Sequence, residues 1–228
     1  MKMLQSVRKF FTGKSGRRTY NISLLLNIVF LIVGIVVSIL LYEGEFSLFE
    51  RQISQLDSPT RNPIGMWVFK ASFIVCGGWF IPNAIYMTRN LRVFSKILGT
   101  IAGLFYCLAG AGIVVVACSP VRVSYLFHII GAGMGFGGLL LAIFISLILL
   151  IVKIVRNYKR KDLVQATVFY LPFISSCGLA TIFAGIPVIL SMQDGMAFGE
   201  FVPEGWEIYE WAMFVTAMLA AIGTQRLF

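Results

Sequence analysis

The chain has 228 residues, 58% of them hydrophobic and only 13% charged, with a mean hydropathy of +0.87 and a formal net charge of +9. Soluble domains run near half apolar and a quarter charged, so this composition excludes an ordinary soluble domain and specifies an integral, multi-pass, all-α membrane protein. The positive balance does not mark a nucleic-acid partner, because the basic residues sit in short segments between apolar runs, where they set membrane topology.

Residues 1–20 carry Lys2, Arg8, Lys9, Lys14, Arg17 and Arg18 and no acid. Leu4, Val7, Phe10 and Phe11 recur at helical spacing, which predicts a short amphipathic helix over 5–11 lying in the membrane interface. Organelle transit peptides share this composition; a basic juxtamembrane anchor is the reading carried forward. The first apolar run, 21–42, has the roughly 20 residues that cross a hydrocarbon core. The loop 43–63 then holds Glu43, Glu45, Glu50 and Asp57 against Arg51 and Arg61. A second span, 64–87, contains Lys70, Trp79 and a Pro82–Asn83 break, and a short loop with Arg89, Arg92 and Lys96 leads to a third span, 97–118.

A tight loop with Arg122 precedes the fourth span, 125–150, which stays apolar to Val155 and is long enough to tilt or project. It opens with His128, the single histidine, followed by Gly131, Gly133, Gly135, Gly137 and Gly138. Each Gly costs a helix in water about 1 kcal/mol relative to Ala. In a bilayer the helix is the available way to satisfy the backbone, and glycines let neighbours approach closely. Gly131, Gly135 and Gly138 form one row, Gly133 and Gly137 another, and Gly99-x-x-x-Gly103 lies on the third span, so tight packing within the chain is expected. Lys153, Arg156, Lys159, Arg160 and Lys161 follow, then a fifth span, 166–192. An acidic loop with Asp194, Glu200 and Glu204 leads to a sixth span, 205–224, which opens with Glu207, Glu210 and Trp211. Residues 225–228 are expected as a short tail. No internal repeat is visible, and 21–224 reads as one domain.

With the N-terminus inside, 15 of the 19 Lys and Arg residues fall on the inner side, and nine of the ten acids fall on the outer side. That alternation predicts a six-helix bundle with both termini on the inner side, cytosolic or matrix. Lys70, His128, Glu207 and Glu210 then share one depth near the outer surface. Ionisable groups at that depth cost a few kcal/mol unless paired or hydrated, so a Lys70–Glu210 or Lys70–Glu207 pair is expected. The alternatives are a polar pocket for an anionic ligand such as a lipid head group, or a purely structural ion pair.

Cys76, Cys107, Cys118 and Cys177 lie in or at the ends of apolar runs without metal-ligand spacing. One histidine cannot assemble a metal centre, and no nucleophile accompanies His128. No metal, cofactor or catalytic residue is assigned.

The stretch Ile53–Ser54–Gln55–Leu56–Asp57–Ser58–Pro59, with Asn62–Pro63 and Tyr86 beyond, resembles the first luminal loop of the Frag/DRAM/Sfk membrane proteins. His128–Ile129–Ile130–Gly131–Ala132, with Phe136 and Gly138, is similar to that family's His-x-x-Gly-Ala helix, and Glu210–Trp211 to its closing Glu-Trp pair. Gln55 stands where the family has an acid, and Asp57 stands near its glycine. The resemblance implies a six-helix fold, shared with related prokaryotic membrane proteins. It also implies roles in lysosome or autophagy modulation, remodelling of lipid anchors or phospholipid organisation. Lipid organisation is therefore the leading expectation. An accessory subunit of a larger membrane complex, with other membrane-protein subunits as partners, and a lipid-modifying enzyme or small transporter are the alternatives.

Overall fold

The computed structural model describes residues 2–48, 51–120, 124–157, 164, 171–172, 174–175 and 206–227. Among them there are helices and no strands. Helix α1 (Lys2–Phe11) precedes α2 (Arg17–Leu40); a loop with a single 3₁₀ turn (Ile53–Asp57) leads to α3 (Gly65–Leu91), and α4 (Lys96–Cys118) follows. A continuous rod comes next, made of α5 (Tyr125–Ala132), a π-helical segment (Gly133–Gly137) and α6 (Gly138–Asn157); the last helix is α7 (Trp206–Leu227). Four helices are long and apolar enough to cross a membrane: Arg17–Leu40, Gly65–Leu91, Lys96–Cys118 and Leu126–Lys153. The fifth expected span, 166–192, apart from a few positions, lies outside the described residues, as do Glu50, Arg122, Cys177 and the loop 193–204.

Helices α2, α3, α4 and the rod that begins with α5 run antiparallel in turn, and their contacts fix the directions. Asn27 on α2 donates to the Cys76 carbonyl on α3 at 3.1 Å, and Ser38 near the end of α2 donates to the carbonyl of Gly65 at the start of α3 at 3.0 Å. Ser95 caps α4, its hydroxyl accepting from the Leu98 amide at 3.3 Å, and so turns the chain within four residues of α3. At one end of the bundle, the loop end, stand the 43–63 loop, the end of α4 and the starts of α5 and α7. At the other, α1 folds back, where the Tyr20 ring stacks between Phe10 (5.2 Å) and Tyr86 (4.1 Å) and Arg89 donates to the Gly13 carbonyl at 2.8 Å. Gly13 takes φ +70°, a conformation that favours glycine. Met3, Leu4, Val7 and Phe11 face away from the bundle, while Phe10 turns in against Tyr20.

Glycine sets the helix spacing. A Cβ on Gly77 would lie 2.5 Å from the Gly110 carbonyl oxygen, and one on Gly103 would strike the Thr88 side chain, so α3 and α4 touch at backbone distance. A Cβ on Gly112 would run into the Gly135 amide and the Gly131 carbonyl, one on Gly131 would sit 2.8 Å from the Val116 amide, and one on Gly138 would sit 3.1 Å from the Phe105 carbonyl. The row Gly131, Gly135, Gly138 therefore packs on α4. Gly133 and Gly137 meet no described atom within 4 Å, so among the described residues one glycine face is used and not two.

The fourth span is also not a uniform α-helix. Its π-helical segment is built from the glycine-rich Gly133–Gly137, where an extra residue per turn meets little side-chain resistance. The last helix runs to Leu227 with Gln225 buried, so 225–227 continue the helix and are not a tail. At the α1 end, Tyr106 hydrogen-bonds Ser146 (3.1 Å) and Thr224 (2.9 Å), joining α4, α6 and α7 through three fully buried hydroxyls.

These contacts give opposite signs to two conservative changes. Gly112→Ala should destabilise by about 1–3 kcal/mol through overpacking against the π segment. Gly133→Ala should be neutral or stabilising by up to about 1 kcal/mol through helix propensity. Unfolding in mixed micelles compares them; equal effects would contradict the packing described.

Candidate functional site

The loop end is organised by a buried asparagine. Asn62 donates to the Leu56 carbonyl (2.8 Å), the Ser38 hydroxyl (2.9 Å) and the Ser38 carbonyl (3.2 Å), and it is fully buried. These bonds pin the 53–57 turn over the ends of α2 and α3, and the turn inserts Ile53 and Leu56 into the core beside Phe69 and Phe73. From the other side comes α7. Trp211 donates its indole N–H to the Arg51 carbonyl at 2.9 Å, and its ring meets Phe46 edge-on at 6.4 Å. The Glu210 carboxylate is directed at the backbone amides of Ile53 and Ser54. These amides begin the 3₁₀ turn and have no partner within it, while Glu210 Oε2 has no hydrogen-bond partner at all.

Lys70 does not pair with Glu210 or Glu207. Its Nζ lies 3.1 Å from Asp57 Oδ1 and 5.1 Å from the centre of the Trp67 ring. The reason is the folded loop: the 3₁₀ turn packs on α3 and brings Asp57 to Lys70, while its amides turn Glu210 aside. The other Asp57 oxygen, Oδ2, has no donor among the described residues, although the side chain is only 3% exposed. Burial dominates its acidity, and with Lys70 opposing, the Asp57 carboxyl is pushed up to about 6.

His128 has a third role. Its Nδ1 lies 2.9 Å from the Ser119 carbonyl. A carbonyl only accepts, so Nδ1 carries the proton, and the ring bridges the end of α4 to the start of α5 across the tight turn.

Two cavities lie side by side at this end. One, of about 130 Å³, runs down the bundle where its two core clusters adjoin, between Phe73 and Cys76 of one and Leu24, Phe80 and Leu139 of the other. Among its described lining residues the polar side chains are Asn27, Ser54, His128 and Glu210. Its wall on α7 extends from Glu210 to Ala221, about 16 Å at 1.5 Å per residue. The second cavity, of about 340 Å³, is a polar basin on the loop itself, lined by Arg51, Arg61, Asp57 and Ser58 among others. Ser54 borders both. The expected cluster is thus divided. His128 and Glu210 share the apolar cavity, Asp57 faces the basin with Lys70 behind it, and Glu207, half-buried on the first turn of α7, lines neither cavity. Sequence pattern alone does not mark Asn62, Ser38 or Arg51 as site residues; Asn62–Pro63 after the Asp57 segment is the one signal for the first.

A family model described as "Protein of unknown function (DUF998)" matches residues 25–202. The chain belongs to that family. The matched stretch takes in α2, the loop with Asp57, Lys70 and the His128 helix, and it stops short of Glu210 and Trp211. No curated protein and no solved structure matches the chain.

The buried carboxyl gives this family member a pH signature. A carboxyl raised from 3.8 to about 6 on folding binds more protons folded than unfolded in that window. Its contribution to stability therefore falls as pH rises from about 4 to 6 and is recovered on acidification. Thermal unfolding across pH 4–8 should show the parent gaining stability between pH 7 and 5, and Asp57→Asn losing that slope. An unchanged slope in the variant would contradict it.

Proposed function

We propose that this is a non-enzymatic, multi-pass membrane protein that holds one lipid-like amphiphile and thereby organises or senses membrane lipid. The reading takes the charge alternation as six crossings with both termini inside, which puts the loop end on the outer side. The observation that carries it is the apolar cavity with Glu210, His128 and Ser54 among its few polar groups. Ligand pockets are typically apolar with a few placed polar groups. An apolar cavity of about 150 Å³ stays dry and holds a guest the size of benzene, so this one takes a short apolar segment of the amphiphile. A chain lying along the cavity would put its polar end beside Ser54 and Glu210, at the depth where a membrane becomes polar. The resemblance to the Frag/DRAM/Sfk proteins supports the same reading through their association with lipid organisation.

Native mass spectrometry after mild detergent extraction tests this. The parent should retain one lipid. Ala217→Phe, which fills the cavity from α7, should reduce occupancy at least about tenfold. Leu219→Phe, on the exposed face of the same helix, should leave it unchanged. Full occupancy in a folded Ala217→Phe protein would refute the reading.

A further inference from the structure

We propose that the basin on the 51–61 loop binds a phosphodiester that also carries a hydrogen-bond donor, the chemistry of an ethanolamine or polyol phospholipid head group. The proposal rests on the lipid reading above for the ligand's chain and on the basin alone for its head.

The first observation is charge. Arg51 and Arg61 line the basin, and among the described residues neither has a carboxylate within ion-pair distance. Arg51 lies 3.2 Å from the Tyr42 hydroxyl and 5.4 Å from that ring's centre, which fixes its guanidinium on the basin wall. Arg61 is exposed, with its backbone held by Ser58, whose hydroxyl accepts from the Arg61 amide at 3.3 Å. Guanidinium groups match phosphate oxygens in charge and fork geometry. On the acid-rich outer side these are two of three basic residues in the loops, and both stand at this one basin.

The second observation is a deficit. Asp57 also lines the basin, nearly fully buried; Lys70 pairs with its Oδ1 at 3.1 Å from behind, and among the described residues its Oδ2 has no donor. A buried carboxylate in that condition is costly, and a ligand amine or hydroxyl in the basin would relieve it. Sulfate, an anion without a hydrogen, would not, and a quaternary ammonium has no hydrogen to give. The two observations together therefore call for an anion and a donor on one molecule.

The third is adjacency. Ser54 borders both the basin and the apolar cavity, so a head in the basin and a chain in the bundle would lie on either side of one residue. On the proposed topology that point lies at the level of the outer-leaflet head groups.

The test uses the full chain in micelles, titrated with phosphatidylethanolamine, phosphatidylglycerol and phosphatidylcholine of identical chains, and with monoacylglycerol as a phosphate-free chain ligand. The ethanolamine or glycerol lipid, or both, should bind at least about tenfold tighter than the choline lipid. Arg51→Gln/Arg61→Gln, at sites that are half-buried and exposed, should lose most of that affinity while keeping monoacylglycerol. Asp57→Asn should narrow the gap over choline lipid. Soluble glycerophosphoethanolamine should compete with the lipid, where sulfate at the same concentration does not. Equal affinity for all three phospholipids, or undiminished phospholipid binding by the double-arginine variant, overturns the basin. Loss of monoacylglycerol binding by the parent, with glycerophosphoethanolamine still bound, would overturn the chain cavity alone.

Discussion

The arrangement depends on one clasp, in which the first turns of the last helix grip the loop that follows the first long one. Trp211 holds the Arg51 carbonyl, Glu210 faces the free amides of Ile53 and Ser54, and Asn62 ties the far side of the same turn to α2. In a medium with little water, a backbone amide or carbonyl without a partner costs several kcal/mol. Here Trp211 satisfies the Arg51 carbonyl just before the 3₁₀ turn, Asn62 satisfies the Leu56 carbonyl within it, and the turn's first amides face Glu210. The clasp also roofs the bundle, since Ile53, Ser54 and Glu210 line the upper part of the apolar cavity.

Below the roof, glycine decides where there is contact and where there is space. At Gly77 with Gly110, and at Gly112 with Gly131 and Gly135, the helices meet backbone to backbone and leave no gap. Phe73, Phe80 and Leu139 line the cavity that the two core clusters leave between them. The π segment belongs to this pattern: Gly135 and Phe136 line the cavity while the same turn abuts α4. A tight seam and an open seam thus share one helix.

Much of this is legible in the chain itself. Length and apolarity locate the first four long helices to within a few residues at most ends, because burying backbone in lipid leaves few alternatives. The positions of Lys70, Asp57, His128 and Glu210 near one end are legible too, from their distance to the span ends. Partnership is not. Lys70 could be assigned Glu210 only by depth, and depth does not show that a 3₁₀ turn intervenes and brings Asp57 nearer. Asn62 is equally invisible, since its value lies in three acceptors spread over residues 38 to 56. The π segment follows from the glycine run only after α4 is known to press against it.

The most direct measurement is a crosslink across the clasp. With the four native cysteines replaced, Ser54→Cys/Glu210→Cys should form an intramolecular disulfide under mild oxidation in native membranes, because a bridge requires the two Cα atoms within about 7 Å. Both cysteines reacting with a maleimide yet failing to bridge would show that the last helix does not hold the loop.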